Sequence, residues 1–188
     1  MNLLTAAQMP FNHQVGWQEL SERQPSIPAL AGWLVLPMSL LPPIMLYFAG
    51  THHGDALMPG FADREWRFIT TILFLAELLT FFMMGWVIHT VVNGTQALSI
   101  DYPDAYLLAA LAPLPLWASS LILLIPNLLL NVLVVLAALG VSCSLICHGL
   151  QALCGRHDHD MATMSATYTI MSAGVLAWGV LMALTWAY

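Results

Sequence analysis

Five runs of this chain are apolar over about 20 residues, and short polar stretches separate them. They extend from about Pro28 to Ala49, Phe68 to Val92, Ala105 to Ile125, Leu128 to Ala152 and Met164 to Tyr188. A hydrocarbon core about 30 Å thick needs roughly 20 residues at 1.5 Å rise per residue, so each run predicts a membrane-spanning helix. Ahead of the first, Phe11, Val15, Trp17 and Leu20 recur among polar neighbours at loosely helical spacing as far as Arg23. That pattern predicts a short amphipathic helix on the membrane surface with its aromatics among the headgroups. Pro25 and Pro28 mark its end, and Pro28 suits the first turn of the next helix. The expected fold is all-α: an integral membrane bundle of five transmembrane helices over residues 28–188, preceded by an amphipathic interfacial segment over residues 1–27. The first ten residues lack the positive n-region and cleavage site of a secretory signal.

Composition sharpens the picture. Charged residues make up 7% of the 188 residues, against about a quarter in soluble domains. A soluble chain of this length could not wrap five apolar helices in a polar coat. The formal net charge is −6, and Asp101 and Asp104 sit between the second and third spans with no compensating Arg. Both facts argue against nucleic-acid binding and against strong attraction to anionic lipids. No glycine-rich phosphate loop, nucleophile elbow, H-E-x-x-H or C-x-x-C pair is present, so no enzymatic activity is expected. Orientation is tied under the positive-inside rule, with Arg23 and Arg156 on one side and Arg64 and Arg67 on the other. Aromatic belts are expected from Trp33, Trp86, Tyr102 and Tyr106 at one interface and from Tyr47, Trp66, Trp186 and Tyr188 at the other.

Prolines predict where the helices are irregular. Pro37, Pro42 and Pro43 in the first span, and Pro113 and Pro115 in the third, each withhold a backbone donor, so both spans should kink or unwind locally. Little more than Pro126 and Asn127 joins the third span to the fourth, which forces a tight antiparallel hairpin. Small residues offer close helix contact at Gly140 and Ser144 on the fourth span and at Ala173 and Ala177 on the fifth.

Glu77 is the one charged side chain inside any span. It lies about 13 Å below the surface, where an ionised acid costs on the order of 2.5 to 3.5 kcal/mol on insertion scales. It should therefore be neutral or hydrogen-bonded and face the bundle interior or a partner. Ser119 and Ser120 lie at similar depth as candidate partners, with Asn131 somewhat shallower. These groups admit three readings: a hydrogen bond to a neighbouring helix, a proton or cation pathway through Glu77, Ser119 and Ser120, or a contact with another subunit. A second cluster arises from topology, because the second and fourth spans run toward the same face and place His89 and His148 at matching depth. With His157 and His159 nearby, a transition metal is chemically possible, and two helix-borne histidines could hold a haem. The plainer reading is a solvated loop and two border histidines. Cys143, Cys147 and Cys154 share one helix face, which precludes a disulfide among them, and they read as small hydrophobes.

The run from Tyr106 to Ala118, with Pro113, Pro115 and Trp117, is followed by Ile125–Pro126 and a long span closing on His148, Gly149 and Leu150. Together these resemble the second half of the YIP family of small five-span membrane proteins, whose eukaryotic members interact with Rab-type GTPases. Trp17 and the Gly85 region are similar to bacterial members. The resemblance implies a five-helix fold with a cytoplasmic N-terminus, in a bacterial inner (plasma) membrane, and no catalytic motif. The expected role is a non-enzymatic scaffold or accessory subunit that contacts membrane lipids and other integral membrane proteins within a hetero-oligomeric complex. A proton-coupled transporter and a haem- or metal-binding electron-transfer subunit are the alternatives.

Overall fold

Hydrocarbon offers backbone amides no partner, so a chain this apolar satisfies them within helices. The computed structural model describes residues 16–22, 25–57, 59–95, 98–154 and 161–187, and among these every regular element is helical. A short helix α1 (Trp17–Glu22) precedes the first span, Ile27–Ala56. That span is assembled from α2 (Ile27–Leu30), a π-helical stretch (Ala31–Val35), α3 (Leu36–Ser39) and α4 (Leu41–Leu57). The second is the single helix α5 (Trp66–Gly94). The third comprises α6 (Tyr102–Leu111), α7 (Leu114–Ser119) and a 3-10 stretch (Ser120–Leu124). The fourth is α8 (Leu128–Cys154), and α9 (Met161–Ala187) carries the fifth. Several helices overrun their apolar runs by a few residues, as α5 does at Trp66 and Gly94. The apolar pattern ends where lipid ends, whereas the helix continues until a cap or breaker stops it.

Proline explains the broken spans. The π-helical stretch lies just before Pro37, and the chain turns at Leu40 just before Pro42 and Pro43. In the third span α6 stops at Leu111, a turn occupies residues 112–113, and α7 restarts with the Trp117 amide donating to Pro113 O at 3.0 Å. Pro113 and Pro115 cannot supply the amides that would meet Ala109 O and Leu111 O, so the helix cannot continue through them. The hairpin into α8 is closed by Asn127, whose Oδ1 accepts the Leu130 amide at 3.1 Å as an N-cap. At the other end of the bundle, Asn93 pins the loop before α6 by accepting the Ile100 amide and donating to Ile100 O, both at 3.0 Å.

The third span sits at the centre of the packing. It touches the first, second and fourth spans, while the fifth packs on the second and fourth. Half of its apolar window is buried, against 17 to 28% for the other four. The second to fifth spans thus form a ring in which the second and fourth, and the third and fifth, make hardly any direct contact.

Four glycines set close approaches: Gly54 to the Ala62 backbone, and the other three each to an aromatic ring. A Cβ on Gly85 of α5 would collide with the Tyr106 ring, and one on Gly50 of α4 would collide with the Trp66 indole. A Cβ on Gly149 of α8 would lie 2.6 Å from Trp17 Cη2 and 2.7 Å from Leu108 Cδ1. These rings differ from the expected aromatic belt. Trp66 is buried and donates its Nε1–H to Phe61 O at 3.0 Å, closing the loop after α4 instead of meeting headgroups. Trp17 is 0% exposed, so α1 drives its aromatic into the end of the bundle where a headgroup position was expected. Ser21 adds a tether, donating to Asp104 Oδ1 at 2.9 Å. Phe11 and Val15 of the expected amphipathic segment lie outside the described residues, as do Arg23, Arg156 and Tyr188. Trp33, 88% exposed, does point outward as a belt residue would. The expected contact at Gly140 is not made within the chain: nothing approaches its Cβ position within 4 Å, because that face of α8 points away from the bundle.

Replacing Trp17 with Ala should therefore release α1 from α8. Large-to-small changes at a buried Trp cost about 3 to 5 kcal/mol, and Gly149→Leu should undock the same helix from the other side. Limited proteolysis between Glu22 and Ile27 in detergent micelles checks this, with both variants expected to be cut faster than the parent while the five spans stay protected.

Candidate functional site

The ring of four spans with empty diagonals leaves a cleft in its middle, with a volume of about 150 Å³. Its walls are Glu77, Phe81 and Met84 of α5, Ala109, Pro113 and Trp117 of the broken third span, Ser142 and Ile146 of α8, and Gly174 and Trp178 of α9. From the first span only Pro42 reaches it. The local reasons are legible. Pro113, at the break in the third span, lines the cleft, and Gly174 presents no side chain where Met84 Cε and Ile146 Cδ1 stand 3.9 and 4.0 Å from its Cβ position.

Glu77 lies near the middle of α5, and its helix places it on the inner face together with Leu73, Phe81 and Gly85 at spacings of four. It is 6% exposed, and its Oε2 is buried with no hydrogen-bond partner. Ser142, across the cleft on α8, likewise has a buried Oγ with no partner. Thr80, one turn from Glu77, also lines the cleft but returns its hydroxyl to Ala76 O at 2.7 Å. Buried polar atoms are nearly always paired, and an unpaired one costs on the order of 1 to 3 kcal/mol. The cleft thus gathers two exceptions in one place.

The residues expected to partner Glu77 do not. Ser119 and Ser120 are buried, but their hydroxyls donate to Leu116 O at 2.7 Å and Trp117 O at 2.6 Å, and neither lines the cleft. Where the helix tightens to 3-10 geometry the i−3 carbonyl lies within reach of a serine, and that local bond wins over a distant one. Asn131 is buried with both amide atoms unpartnered, yet it too lies outside the cleft. The sequence reading missed Ser142 and Gly174. A polar residue at mid-span on the fourth helix was the available signal for Ser142, but Cys143 beside it and Ser144 after it hide which face turns inward.

The histidines are distributed differently from the expected pair. The third and fifth spans lie between α5 and α8, so His89 and His148 do not face each other across a helix contact. His89 stacks on Tyr102 with ring centroids 3.8 Å apart, and His148 Nδ1 lies 2.9 Å from Ser144 O on its own helix. Among the described residues no group of three or more His, Cys, Asp or Glu side chains could hold a metal ion. His157 and His159 lie outside those residues. The three cysteines, all on α8, form no disulfide.

Five helices long and apolar enough to cross a bilayer, arranged around a polar exception at mid-depth, define a polytopic helical membrane protein. The family model for the Yip1 domain matches residues 8–184, nearly the whole chain, and the chain belongs to that family. It is in general a family of non-enzymatic membrane proteins. No curated protein and no solved structure matches the chain.

The unpaired carboxyl makes a clear prediction for stability. Glu77→Met keeps the volume and removes a buried acid without a partner, so in detergent it should raise the thermal midpoint, by the equivalent of about 1 to 3 kcal/mol. Ser119→Ala and Ser120→Ala each remove a bond within one helix and should stay within about 0.5 kcal/mol of the parent. Thermal unfolding followed by tryptophan fluorescence checks all three.

Proposed function

We propose that this protein is a non-enzymatic membrane-embedded binding subunit, a scaffold or accessory component of a hetero-oligomeric complex with other integral membrane proteins. It would sit in a bacterial inner membrane with its N-terminus cytoplasmic, work without a bound cofactor, and recognise its partner inside the bilayer. One observation carries the reading: the Glu77 carboxyl is buried in a cleft, and no group among the described residues satisfies its Oε2. A polar group kept at such cost without an internal partner is best explained by an external one. The extramembrane pieces support the same view, since the described loops are short and bear no catalytic constellation.

Proton-coupled transport is the second reading, favoured by the position of Ser142 across the cleft from Glu77. A relay needs a continuous chain of exchangeable groups from one face to the other. Ser119 and Ser120, the sequence-derived candidates for that chain, are committed to their own helix.

Gentle detergent extraction of tagged chain followed by mass spectrometry tests the proposal. An integral membrane protein should co-purify with the parent, and Glu77→Leu should reduce its recovery by at least about tenfold, as loss of one buried hydrogen bond worth about 1.4 kcal/mol would. Glu77→Gln, which keeps the hydrogen-bonding capacity, should retain a larger share. A chain that purifies alone, and that carries Glu77-dependent proton flux in reconstituted vesicles, would overturn the reading in favour of transport. A Soret band from the purified protein would instead favour the electron-transfer alternative through His89 and His148.

A further inference from the structure

The cleft itself restricts what can occupy it. An α-helix with its side chains is about 10 Å across, so a partner helix cannot enter a space of about 150 Å³ and could reach Glu77 only with a single side chain. Apolar cavities of about that size admit a benzene-sized molecule. Phe81, Met84, Trp117, Ile146 and Trp178 supply aromatic and aliphatic walls, and among the described residues Glu77 is the only charged side chain that lines it. The two unpaired atoms set the polar requirement. Glu77 Oε2 and Ser142 Oγ are each buried and unpartnered, and both residues face the same space. One hydroxyl would serve both, donating to the carboxyl and accepting from the serine. Val175, midway along α9, both lines the cleft and is exposed.

We propose that the cleft is a binding site for a small uncharged amphiphile taken up from the lipid phase, with an apolar body of about benzene size and a single hydroxyl held between Glu77 and Ser142. This rests on the reading above only in taking the Glu77 cleft as the recognition element. A ligand that enters sideways from hydrocarbon must arrive without a charge, because carrying one to mid-membrane costs several kcal/mol. It must also shed its own hydroxyl's hydration, which the two waiting partners replace. Beside this pair, Thr80 returns its hydroxyl to Ala76 O and most of the remaining lining is apolar, which leaves a water few partners.

The test uses the full chain in phosphatidylcholine nanodiscs, with binding read by fluorine NMR. The probe is 4-fluorobenzyl alcohol, with 4-fluorotoluene and 4-fluorobenzylamine as comparisons. The alcohol should bind saturably at one site per chain and at least about tenfold more tightly than the toluene, the factor that one buried hydrogen bond supplies. Gly174→Leu fills the cleft without touching either polar group and should abolish saturable binding. Glu77→Gln should retain binding, Ser142→Ala should weaken it toward the toluene value, and thermal unfolding should show each variant folded. Several results would overturn the proposal: partitioning of the alcohol that does not saturate, equal binding of alcohol and toluene, binding unchanged in Gly174→Leu, or tighter binding of the amine. Failure here with Glu77-dependent co-purification intact removes the ligand and leaves the subunit reading standing. Saturable alcohol binding with no Glu77-dependent partner does the reverse.

Discussion

The absence of hydrogen-bond partners in hydrocarbon governs this molecule. Backbone amides answer it by forming helices, and the side-chain hydroxyls of Thr70, Thr80, Thr169, Ser119 and Ser120 answer it by bonding to carbonyls of their own helices. Where proline withholds an amide the helix gives way, as at residues 112–113. Because the broken third span is also the central one, the consequence of two prolines is felt by the whole bundle. Pro113, at that break, lines the cleft into which Glu77 and Ser142 turn.

Packing in lipid has no hydrophobic drive between helices, so close shape matching must hold the spans together. The structure achieves it by setting aromatic rings on glycines: Tyr106 on Gly85, Trp66 on Gly50 and Trp17 on Gly149. Tyr106 joins the second and third spans and also donates its hydroxyl to Phe82 O at 3.2 Å. Trp66 closes the loop between the first two spans, and Trp17 anchors α1 across the third and fourth. Each ring therefore works as a fastener between separate parts of the chain.

Membership of the Yip1-domain family places the protein among five-span, generally non-enzymatic membrane proteins. The tension between stability and recognition is then concentrated in a few atoms. Glu77 Oε2 and Ser142 Oγ remain unpaired while most of the rest of the cleft is lined by apolar side chains. Such a site weakens the empty protein, and whatever satisfies both atoms would stabilise it.

The five spans, their prolines and the exceptional nature of Glu77 were legible from sequence because each is a local property: twenty apolar residues, a missing amide and a charge in a long apolar run need no knowledge of neighbours. The tight turn at Pro126 and Asn127 was legible for the same reason. What the sequence could not decide was which side chains meet. Ser119 and Ser120 matched Glu77 in depth but turned back to their own helix, while Ser142 turned inward. His89 and His148 matched each other in depth but were kept apart by intervening spans. Trp17 and Trp66 looked like headgroup anchors and became core. Depth along a helix follows from counting residues; azimuth and helix order follow only from how the spans pack, because every face of an apolar helix is equally acceptable to lipid until a neighbour chooses one.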